Sequence, residues 1–96
     1  MDQERLNMVT NGLIQATDLL YQENITYAYQ MLVVILPQLE MVISEIEEDE
    51  VRNELRERLE DALQAMEEED YILLADVFQY EINQRLLEFV SDRKDE

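Results

Sequence analysis

Cysteine, histidine and tryptophan are absent from this chain of 96 residues, and glycine, proline and lysine occur once each. Without cysteine there is no disulfide framework, no thiol nucleophile and no zinc–thiolate site. Without histidine the Ser-His-Asp and Cys-His arrangements are excluded, along with the side chain most used for proton transfer near neutral pH. One glycine, Gly12, cannot build a phosphate-cradling loop. The lone lysine, Lys94, stands in a polar end segment, and neither Ser44 nor Ser91 has a base partner in the pattern. No catalytic site and no cofactor are expected.

Basic residues are scarce as well. Seven Lys and Arg face 24 Asp and Glu, for a net charge of −17. Phosphate backbones are bound through Lys and Arg, so direct nucleic-acid binding is not expected, and anionic membrane surfaces would repel the chain. A basic partner would be steered toward it. The most apolar run, Met31 to Leu36, is too short to cross a bilayer. The start, Met1-Asp2-Gln3-Glu4-Arg5, lacks the basic and apolar parts of a signal peptide. These features predict a cytoplasmic protein.

What is present is a regular apolar pattern. Leu, Ile, Val and Phe make up 30 of the 96 residues, enough for a core despite the charge. The length suits a single domain over 1–96. Leu6, Val9, Leu13, Ala16 and Leu20 step by three and four, which predicts a helix over about 3–22 with Asp2 as its N-cap. The stripe keeps its phase through Asn11-Gly12, so the helix is read as continuous, with Gly12 marking close packing or a soft spot. Ile25, Ala28, Leu32, Ile35, Leu39, Val42 and Ile46 predict a second helix over 25–47, kinked at Pro37. Its flanking row, Tyr29, Leu36 and Ile43, points to a wide buried face and a central position.

Val51, Leu55, Leu59, Ala62, Leu63 and Met66 place a third helix at 50–67, with Asp49 as N-cap. A fourth is predicted at 71–90, capped by Asp70, with a polar tail at 91–96 that frays. Its first three turns are apolar nearly all round, so it is either the most buried helix or part of a subunit interface. Short connections predict an all-α, antiparallel up-down-up-down four-helix bundle. The rival is a pair of helical hairpins that complete their core as a homodimer.

The segment from Ala65 through Asp70-Tyr71 to Tyr80-Glu81 resembles a stretch that recurs in short, uncharacterised helical proteins of Gram-positive bacteria. That pattern carries a glycine before the Asp-Tyr pair, where this chain has Glu69. The resemblance implies a bacterial origin and an all-helical fold, and it assigns no functional residue.

The carboxylate runs Glu47 to Glu50 and Glu67 to Asp70 lack the glycine and ligand spacing of a calcium loop, and they read as solvated helix caps rather than metal sites. Asp76 interrupts the apolar run of the fourth helix, and it is expected either on an exposed strip, bonded to a neighbouring Tyr, or buried as an interface charge. Asp18 raises the same question. Tyrosines bury area while keeping a polar tip, which suits interfaces. Tyr21, Tyr27, Tyr71, Asp76, Val77 and Tyr80 are therefore the candidate interface. The pattern predicts a non-enzymatic protein-interaction module, chaperone- or adaptor-like, offering an apolar helix face rimmed by acid to a basic partner or an amphipathic helix. The alternative is an acidic inhibitor or nucleic-acid mimic that occupies a basic groove on another protein.

Overall fold

The computed structural model describes residues 2–94, and the side chains of residues 2–91. They form an all-α four-helix bundle, with no strand among the described residues. Helix α1 spans Gln3–Tyr21, α2 Ile25–Ser44 and α3 Asp49–Glu67. The fourth helix is built in three parts: α4 (Tyr71–Asp76), a π-helical stretch (Val77–Asn83) and α5 (Gln84–Lys94). The frayed tail expected at 91–96 lies partly outside the described residues.

The contacts of α1 with α2, and of α3 with the fourth helix, run in opposing order. Arg5 of α1 pairs with Glu45 just beyond α2 at 2.9 Å, while Gly12 lies over Ile35. Arg58 and Arg85 reach Glu81 and Glu54 at 3.7 and 3.2 Å, tying α3 to the fourth helix in descending order.

The stripes of α1 and α2 form the core as their spacing predicted. Leu6, Val9, Leu13, Ala16 and Leu20 meet Ala28, Leu32, Ile35, Leu39 and Val42 in one buried cluster. Helix α1 is continuous through Gly12. A Cβ added there would stand 2.5 Å from Ile35 Cδ1, so the glycine lets α1 and α2 approach closely.

Asp2 caps α1 as expected, accepting from the backbone N–H groups of Glu4 and Arg5 at 3.0 and 3.3 Å. Pro37 stands on the exposed face of α2. The carbonyl of Val33, left without its helical donor, therefore faces water.

Several boundaries and positions differ from the sequence pattern. Helix α2 ends at Ser44, not 47, because no cation in its last turn supports the carbonyl ends and carboxylates follow at once. Ile46 remains buried although it lies outside the helix, held by its N–H to the Ile43 carbonyl at 3.1 Å. Glu48, not Asp49, is the N-cap residue of α3, without a side-chain cap bond. Leu63, expected in the core, is exposed, and Ala65 takes the inward position. Helix α2 is less central than its flanking row suggested, because Tyr27, Val33, Val34 and Met41 leave its outer face exposed.

The π-helical stretch has a cause in the sequence. Leu74, Phe78, Ile82 and Leu86 are spaced by four and all fully buried. A step of four overshoots an α-turn of 3.6 residues by roughly 40°, so three such steps would carry the row out of the core. Wider π turns, bonded i to i+5, rotate it back. The stretch also turns Asn83 inward to 4 % exposure, where its Oδ1 has no hydrogen-bond partner among the described residues.

Candidate interaction surfaces

Two of the three connections meet at one end of the bundle and share a construction. At the end of α1, the N–H groups of Glu23 and Asn24 donate to the carbonyls of Leu20 and Leu19 at 3.1 and 2.8 Å. At the end of α3, Glu69 and Asp70 donate to Met66 and Ala65 at 3.2 and 2.9 Å. Both are Schellman stops with a left-handed residue at the turn. That residue is glutamate each time, with φ of 63° at Glu23 and 59° at Glu69. A glycine-type stop thus forms without glycine. Glu23, Glu69 and Asp70 line a shared hollow with Leu20, Ile25, Tyr71 and Ile72.

The six residues singled out as an interface do not form one surface. Tyr21, Asp76 and Tyr80 gather between α1 and the fourth helix, where the Tyr21 hydroxyl donates to Asp76 Oδ1 at 2.5 Å. Burial pushes the Tyr21 hydroxyl up to about 12, with the Asp76 bond, the Asp76 charge and Tyr80 adding to it. Asp76 is half-buried and bonded to a tyrosine, whereas Asp18 is exposed. Tyr71 packs edge-on against Tyr29 with ring centroids 6.0 Å apart. Burial also raises the Tyr29 hydroxyl, with Tyr71 and Glu69 contributing.

Val77 is 2 % exposed and belongs to the core, so it is not a surface residue of the chain. The fourth helix buries only part of its apolar surplus: the π turns direct Val77, Phe78, Ile82 and Asn83 inward together, while Ile72, Leu73, Tyr80 and Leu87 remain exposed. Tyr27 alone of the six lies on α2, 61 % exposed.

It borders the feature that the sequence pattern missed. A groove of about 750 Å³ runs between α1 and α2, lined by Met8, Asn11, Gly12, Gln15, Leu19, Tyr27, Gln30, Met31, Val34 and Ile35. None of these side chains is charged, in a chain where a third of the residues are. The absent side chain of Gly12 opens its floor, and Met8 and Val34 stand beside it, 46 and 64 % exposed. The readable signal was the composition of α2, whose twenty residues hold a single charge, Glu40. By length and composition α2 is also apolar enough to cross a membrane, unlike the six-residue run considered alone, although Ala28, Leu32, Ile35, Leu39, Val42 and Ile43 lie inside the bundle.

Charge collects elsewhere. Residues 45–70 hold 13 of the 24 acidic residues and 3 arginines. Between α3 and the fourth helix Arg58 and Arg85 alternate with Glu54, Asp61 and Glu81 in an exposed ion-pair strip, the kind that contributes little to stability. Among the described residues no group of three or more carboxylates is placed to hold a metal ion.

The model of the family described as Domain of unknown function (DUF8042) matches residues 3–91, and the chain belongs to that family. No curated protein and no solved structure matches it.

Proposed function

We propose that this chain is a non-enzymatic protein-interaction module, chaperone- or adaptor-like, that holds an apolar partner helix along the face between α1 and α2. The supporting observation is the uncharged lining of the α1–α2 groove on a chain of net charge −17. A partner helix laid there would desolvate Met8, Tyr27 and Val34 without burying a carboxylate, the arrangement of helix-in-groove recognition. The acid on α3 and the connections would keep such a complex soluble. The want of histidine and cysteine supports a role without catalysis. A bacterial, Gram-positive origin rests on the resemblance around Ala65 to Glu81, and a cytoplasmic site on the acidic charge.

The test is fluorescence-anisotropy titration with a labelled amphipathic peptide built from Leu, Ala and Gln. Binding that persists at high salt and weakens tenfold or more in Val34→Asp supports the proposal. Binding unchanged in Val34→Asp, or no binding at all, overturns it.

The second reading is an acidic inhibitor or nucleic-acid mimic. The concentration of carboxylates over residues 45–70 favours it, since a mimic needs its charge on one side. A basic peptide that binds at low salt, releases at high salt and loses affinity in Glu54→Gln/Glu57→Gln would place the activity there instead.

A further inference from the structure

We propose that the cleft between α2 and α3 is a second binding site, and that its ligand is an apolar α-amino acid in zwitterionic form. The cleft has a volume of about 420 Å³, within the range of small-ligand sites. It lies where α2 packs sparsely against α3. Leu63, in phase with the core stripe of α3, instead borders this cleft and is 41 % exposed. Ile43 and Leu59, both buried, form the floor beside it.

Three charged side chains line the same cleft, and none of them is paired among the described residues. Arg5, Arg52, Arg58 and Arg85 each hold a carboxylate. Arg56, in a chain of 24 acidic residues, has neither an ion pair nor a hydrogen bond among the described residues. Glu60 follows it at i, i+4, the spacing of a helical ion pair, yet the two stay apart. Glu40 faces them from α2, equally unpaired.

This set of groups defines the occupant. A free guanidinium fork takes a carboxylate in bidentate fashion. Glu40 and Glu60 accept from an ammonium, as does Ser44 Oγ, whose own hydrogen goes to the Met41 carbonyl at 2.8 Å. An α-amino acid carries both charges on one carbon, so it bridges side chains that stand too far apart to pair directly. Its apolar side chain covers Ile43, Leu59 and Leu63, removing their surface from water. A fatty acid would set its carboxylate against two like charges, and an alkylamine would leave Arg56 unmet. The site is independent of the α1–α2 groove and of the partner proposed there.

The test is an NMR titration of the full chain with L-leucine and L-phenylalanine. The expected result is saturable amide shifts centred on Ile43, Leu59 and Leu63. Affinity should fall at least tenfold in Arg56→Gln and in Glu40→Gln/Glu60→Gln. Helical circular dichroism should not change in either, since all three side chains are exposed. Glycine, without an apolar side chain, should also bind at least tenfold more weakly. No saturable shift with either amino acid, affinity unchanged in either variant, or glycine binding as tightly as leucine overturns the proposal. Octanoate binding as tightly as leucine overturns it in favour of an anionic amphiphile, and hexylamine doing so overturns it in favour of a cationic one.

Discussion

The hydroxyl of Tyr21, at the end of α1, donates to Asp76 Oδ1 on the fourth helix at 2.5 Å, joining elements 55 positions apart. The bond holds the first helix to the last beside the π-helical stretch. Replacing Tyr21 by Phe should cost up to about 1 kcal/mol at neutral pH, the value of one partly exposed bond, measured as a lower urea midpoint.

The same bond sets an alkaline limit. The Tyr21 hydroxyl ionises at about 12 in the fold against 10.0 for a free tyrosine, chiefly through burial. The folded state binds this proton more tightly, so its contribution is complete below pH 10 and lost as pH rises toward 12. Wild-type stability should therefore fall more steeply over that window than the stability of Tyr21→Phe. Equal slopes would remove the bond from the account.

Gly12 and Ile35 set the spacing of α1 and α2. Gly12→Ala gains helix propensity of about 1 kcal/mol, but its Cβ would stand 2.5 and 2.9 Å from Ile35 Cδ1 and Cγ1, so a buried β-branched side chain must shift at an overpacking cost of similar size. Its effect should stay within about 1 kcal/mol of neutral, whereas Gly12→Leu, too bulky for that gap, should lose more than about 2 kcal/mol by overpacking. Thermal midpoints of the two variants decide the point.

Glu23 and Glu69 carry left-handed backbone at the two Schellman stops. Glycine adopts that conformation without the Cβ penalty, so Glu69→Gly and Glu23→Gly should each stabilise by roughly 0.5–1 kcal/mol. Glu69→Gln controls for the charge. If Glu69→Gln raises the urea midpoint as much as Glu69→Gly does, charge and not backbone is responsible.

Asn83 Oδ1 is buried on the inner side of the π-helical stretch without a partner among the described residues. Asn83→Leu keeps a similar branched shape and removes the buried polar group, so it should raise stability by about 1–3 kcal/mol. A fall would show that the Asn83 amide has a partner in solution.

Much of this fold was legible in the chain. Four helices, the Asp2 cap and the continuity of α1 through Gly12 all follow from stripes that step by three and four. The π-helical stretch was written there too, in the four-residue spacing of Leu74, Phe78, Ile82 and Leu86, but a row of apolar residues at that spacing also fits a buried α-helix. The Schellman stop at Glu69 was concealed by its residue type, since glutamate gives no sign of left-handed backbone.

The candidate surface was less legible, because exposure depends on the neighbours of a helix as well as on its own pattern. Val77 and Val34 are alike as residues, and each lies in a strongly apolar run. The sequence by itself determined the helix count, the fully apolar stripes, the surplus of acid and the lack of histidine and cysteine, all of which follow from residue type and local spacing. Only the tertiary structure decided which apolar residues of each helix lie inside: Val77, Phe78 and Ile82 turn inward through the π turns while Ile72, Leu73, Tyr80 and Leu87 stay exposed, as Tyr27, Val33, Val34 and Met41 do on α2. That choice depends on how four helices share one core: each gives one face to it, and the apolar residues beyond that face are left at the surface.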